Sequence, residues 1–172
     1  MKKLLFALLF LMLGVNLHAQ ETEVEVTEGT ETAESDDKVK RVMELMRKEI
    51  DMIVDEDVFK SVGNNTYVSE EPKAVLLAMY IPESYEVSRT KMNNPPEDGF
   101  VVSDTGEKEV NGVKVLFMEG TSNTQGVTMT NAIYCMEIDE NTCMMVMGML
   151  EENADQKYID IINRSINSVI KK

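Results

Sequence analysis

Between Glu107–Val110 and Val113–Met118 stands the dipeptide Asn111-Gly112. Asn and Gly are the residues that most readily take up positive φ, and both central positions of a type I′ turn require it. The dipeptide folds the two runs onto each other as an antiparallel hairpin, which commits the chain to a sheet. A second hairpin is expected where Thr128–Ile138 meets Cys143–Leu150 around Asp139-Glu140-Asn141-Thr142. Ala74–Ile81 carries no charge, so as a strand it would be buried on both faces. A helix over the same residues is the alternative, because Ala, Leu and Met favour one, and Pro82 ends either. Ser84–Met92 reads as a short helix, and 93–99, rich in Asn and Pro, as a loop.

Two longer segments change period. Val39, Val42, Met43, Met46, Ile50, Ile53 and Val54 line up on one side at about 100° per residue, which predicts a helix over 38–54 behind an N-cap among Ser35, Asp36 and Asp37. Leu45 and Met52 lie away from that stripe. A second helix is expected over 153–170, with Asn153 and Gln156 spaced as a capping box. Its apolar side carries Ala154, Tyr158, Ile161, Ile162, Ile166 and Val169. A sheet buried on both faces needs cover on both. The expected fold class is therefore α+β, a mostly antiparallel sheet sandwiched between helices.

The N-terminus has a different character. Lys2 and Lys3 precede Leu4–Leu13, an unbroken apolar run, and a small residue, Ala19, stands before Gln20. This is the layout of a cleavable signal peptide over 1–19. The run is shorter than the ~20 residues a membrane span needs. With no Cys near the cut, the expected product is periplasmic or secreted, soluble, not a lipoprotein, and without an integral span. Residues 20–37 hold eight acidic and no basic residues, and read as a disordered tether. A single domain over 38–172 follows.

Cleavage removes His18, the only histidine, together with Lys2 and Lys3. The remaining 15 basic residues face 31 acidic ones, which takes the net charge from −14 to −16. Such a chain is poorly suited to nucleic acid, where clustered Lys and Arg must neutralise phosphates. Without histidine, Ser-His-Asp and Cys-His systems and the usual zinc sites are excluded.

Other constellations are weak. In an exported protein, Cys135 and Cys143 suggest a disulfide. With residue pairs across the second hairpin summing to 281, however, the two side chains point to opposite faces, and only a one-residue slip reunites them. Cys143, Met145, Met147 and Met149 share one face opposite Ala132, Tyr134, Met136 and Ile138, a core layer before it is a Cu(I) site. Gly120–Gly126 lacks the ending of a phosphate loop and reads as a flexible hairpin loop. Asp51, Asp55, Glu56 and Asp57 lack the spacing of a calcium loop. No residue is assigned to catalysis, and no cofactor or metal is expected.

From about residue 57 to 170, the order of elements resembles the PsbP-like fold family. The stretches that carry the likeness are Ala74–Met92, Phe100-Val101-Val102-Ser103, the Val110-Asn111-Gly112-Val113 turn, the hairpin over 128–150 and the ending Tyr158 to Val169. Trp is absent here, and the expected helix 38–54 precedes the resembling part. The family includes small exported bacterial proteins and shares no catalytic residues, so the resemblance implies a fold and no site. The expected function is an exported, non-enzymatic binding or accessory protein whose partner is an unidentified protein or envelope component. That partner would meet the acidic surface, the tether or the 119–127 loop. A small carboxylate-based hydrolase and a soft-metal carrier are the alternatives.

Overall fold

The Asn111-Gly112 turn forms with both residues at positive φ, 52° and 75°, in the computed structural model of the chain, which describes residues 31–95 and 99–171. It joins β4 (Phe100–Val110) to β5 (Val113–Thr124). The elements around them are α1 (Glu31–Met46), β1 (Lys60–Gly63), β2 (Thr66–Glu70), β3 (Lys73–Ile81), α2 (Tyr85–Asn93), β6 (Val127–Asp139), β7 (Thr142–Glu151) and α3 (Gln156–Val169). The strands make one antiparallel sheet in the order β1-β2-β3-β7-β6-β5-β4. Two meanders thus meet at β7, which closes the second of them by pairing with β3. The expected signal peptide 1–19 lies outside the described residues, as does most of the expected tether. Residues 31–37 of that tether belong to α1.

One face of the sheet is closed by α3. Leu76 and Ala78 of β3, Val115 of β5, Met136 of β6, and Met144 and Val146 of β7 meet Ile162, Ile166, Val169 and Ile170 in one buried cluster. Each fully buried Ile or Val contributes roughly 2 kcal/mol. The fit centres on Gly148: a Cβ there would collide with Ile162 Cγ2 and lie 3.0 Å from Ile166 Cδ1. Asn111 also reaches across, its Nδ2 donating to the carbonyls of Asn167 and Ile170 at 3.0 Å each. The turn residue thereby satisfies acceptors that the end of α3 leaves open. The helix begins later than its capping-box spacing suggests, at Asp155, with no side-chain cap.

The expected sandwich is not observed. The molecule is a β-rich fold: one seven-stranded sheet with three short helices among the described residues. The second covering helix fails because 38–54 is not one helix. Helix α1 stops at Met46, and Val39, Met43 and Ile53 of the expected stripe are exposed, at 58%, 54% and 61%. Leu45, away from that stripe, is buried instead. The chain is drawn out of helix by the β1–β2 turn. Asn65 Oδ1 accepts from Ile50 N at 2.8 Å, Asn65 Nδ2 donates to Lys48 O at 2.8 Å, and Asn64 Nδ2 donates to Arg47 O at 3.4 Å. A buried side chain bonding the backbone outweighs helix propensities that differ by only tenths of a kcal/mol per residue.

Two further differences concern the hairpins. Residues 120–124 extend β5 rather than forming a flexible loop, and the turn is the pair Gln125-Gly126, with φ of 55° and 80°. In the β6–β7 hairpin a bulge falls between Glu137 and Asp139, so the pairing passes from Asp139↔Thr142 to Glu137↔Cys143. Every pair beyond the bulge is therefore shifted by one residue.

Candidate functional site

The bulge relocates the cysteines. Cys135 pairs with Met145 and Cys143 with Glu137, so both thiols project from the same face of the sheet. The expectation of opposite faces is corrected, and so is the facing layer: Met145, Met147 and Met149 stand opposite Cys135, Ile133 and Asn131. This is the face that α3 does not cover. Here α2 lies over one end, placing Tyr85 and Met92 against a buried cluster of Leu116, Cys135 and Cys143. The two cysteines are unbridged and essentially inaccessible.

The chemistry under α2 is that of neutral thiols. Burial pushes the Cys135 thiol up to about 12, and Cys143 is raised for the same reason. The Ser88 hydroxyl opposes the shift at both, and each thiol influences the other. Ser88 is itself buried and donates from Oγ to Glu83 Oε1 at 2.7 Å. Tyr85 Oη is buried with no hydrogen-bond partner among the described residues. Burial, and then Glu107, lift its pKa to about 12. The outside of α2 is tied to the β4–β5 hairpin by Glu86, Arg89, Glu107 and Lys114. Exposed pairs of this kind contribute little each. Protonated, desolvated thiols are poor nucleophiles.

A second place is defined by charge. Helix α1 leans on the β6–β7 turn through Arg41, whose Nη2 donates to Asn141 O at 3.3 Å and to Thr142 Oγ1 at 3.1 Å. Between them opens a recess of about 440 Å³, lined by Lys40, Arg41, Glu44, Leu45, Lys48, Asp139 and Thr142. Three cations thus meet two carboxylates, a positive balance on a chain of net charge −14. Asp139 is held below the usual carboxylate range, first by the Asn141 backbone N–H and then by Thr142. A smaller recess of about 290 Å³, bordered by Phe100, Val101, Thr121, Ser122, Asn123 and Thr128, lies beside the segment expected to be a partner loop.

The carboxylates at the start of the domain are engaged elsewhere. Asp51 pairs with Lys171, just beyond α3, at 2.7 Å, and Asp55 with Arg164 of α3 at 3.1 Å. Asp51 and Glu107 are both held below their usual range, the first by Lys171 and the second by Lys114 and Arg89. A general acid needs the opposite shift. Among the described residues no helix is long and apolar enough to cross a membrane.

No family model matches the chain, and no curated protein is similar to it in sequence. Solved structures show a distant likeness of shape. LpqN, involved in cell envelope biogenesis of Mycobacterium tuberculosis, aligns with a TM-score of 0.49 and 15% identity, over 67% of this chain and 79% of its own. PA94 of Pseudomonas aeruginosa, a protein of unknown function, aligns with a TM-score of 0.49 and 6% identity, over 73% of this chain and 99% of its own.

Proposed function

We propose that the chain is an exported, non-enzymatic binding or accessory protein, and that its recess beside α1 receives a carboxylate or phosphate group of its partner. The observation that carries this reading is the gathering of Lys40, Arg41 and Lys48 around one recess on a strongly acidic chain. The long-range field of such a chain repels anions, so a local reversal of sign selects where an anionic group can settle. Arg41 is already oriented by Asn141 and Thr142, which reduces the ordering needed on binding. Leu45 supplies an apolar floor. Export rests on the N-terminal layout of residues 1–19, and the PsbP-like resemblance of residues 57–170 belongs to the same reading.

Amide chemical shifts of the mature chain, titrated with inorganic phosphate and with a short Glu-rich peptide, test the recess. The expected result is perturbation confined to Arg41, Leu45, Asp139 and Thr142, and abolished in the K40Q/K48Q double variant. Shifts that are absent, scattered, or unchanged in that variant refute the assignment.

A further inference from the structure

We propose that Cys135, Cys143 and Met92 form a soft-metal site between the sheet and α2, taking a monovalent d¹⁰ cation such as Cu(I). The two thiols come from neighbouring strands and share one face because of the bulge between Glu137 and Asp139. Together with Leu116 they form one buried cluster, and Met92 packs on it from the helix above. The site thus draws sulfur donors from three elements into one packed cluster. Methionines along β7 do not converge in this way, because successive same-face residues are spread along the strand.

The donor set selects the cation. Thiolate and thioether sulfur favour Cu(I), whereas a structural zinc site asks for four ligands drawn from Cys, His and carboxylate. Cys135 and Cys143 are diagonal neighbours, and such pairs stand roughly 7–8 Å apart with their Cβ atoms somewhat closer. A disulfide needs about 4 Å between Cβ atoms, so this placement disfavours a direct S–S bond and suits two sulfurs bridged by an ion. Binding breaks two S–H bonds and forms two metal–thiolate bonds, and the Met92 thioether donates a lone pair for a third metal–sulfur bond without losing a proton. Both protons leave to solvent, and the metal keeps its oxidation state. Affinity therefore falls as pH is lowered. Entry requires α2 to lift, since both thiols are covered.

The test is native mass spectrometry and X-ray absorption of the mature chain loaded anaerobically with Cu(I), beside thiol titration of the unfolded metal-free protein. The expected result is two free thiols, one Cu(I) per chain in a sulfur-only shell, and release of two protons. Binding is lost in C135S and in C143S and weakened in M92L, a variant chosen to keep the packing. Circular dichroism confirms that each variant is folded. A C135A/C143A double variant, which keeps apolar packing, covers the case in which serine prevents folding. No retained copper, copper retained equally by the cysteine variants, or an absence of free thiols in the metal-free chain would each overturn the proposal.

Discussion

The two faces of the sheet are built from the same strands and closed in different ways. On one, α3 fits its isoleucines over Gly148 and is tied at its end by Asn111. On the other, α2 covers only the end holding Leu116, Cys135 and Cys143, and its outer contacts are exposed ion pairs. Burial area fitted to a glycine holds a helix firmly, while surface charges hold one weakly. The difference assigns the global stability of the fold to the α3 face and local opening to the α2 face.

The sharpest way to break that comparison is Ile166→Ala. It removes a fully buried side chain from the α3 face and should lower stability by about 2–5 kcal/mol in denaturant unfolding. Gly148→Ala should cost about 1–3 kcal/mol, because the new methyl group meets Ile162 and Ile166. A neutral result would mean that the fit of α3 is looser than the contacts indicate. Asn111→Gly keeps the positive φ of the turn while deleting the two bonds to the end of α3. A loss of about 1 kcal/mol is expected by thermal unfolding; an unchanged midpoint would show that the turn alone matters. On the other face, Tyr85→Phe removes a buried hydroxyl without a partner among the described residues and should raise stability by about 1 kcal/mol. Destabilisation there would point to a bond made through water.

Much of this architecture was legible from residue pattern, and the failures share a cause. Asn111-Gly112, the alternation of the long strands, the break at Pro82 and the stripe of α3 are local signals, and each of these elements forms. The end of α1 is not a local matter: Asn64 and Asn65 act on Arg47, Lys48 and Ile50 from another hairpin. That interference breaks the stripe of 38–54, leaving Val39, Met43 and Ile53 exposed while Ile50 is buried in the core, and removes the second layer of the expected sandwich. The β1–β2 hairpin itself is marked only by Gly63-Asn64-Asn65, with Asn65 at φ 52°. For the thiols, a single inserted residue decides the geometry. Periodicity places Cys135 and Cys143 on opposite faces in an unbroken ladder, and a bulge reverses the result without altering the pattern of apolar residues. The recess beside α1 escapes sequence for a similar reason, since Lys40, Arg41 and Lys48 gain their meaning only where α1 meets Asn141 and Thr142.

The measurement that reaches the central contrast is native-state alkylation of Cys135 and Cys143, compared between the parent chain and Ile166→Ala. If the faces open independently, lifting α2 exposes the thiols without disturbing α3. The labelling rate then stays the same although the variant has lost several kcal/mol of global stability. A labelling rate that rises in proportion to the lost stability would contradict the account, because it would show that the two faces open only together.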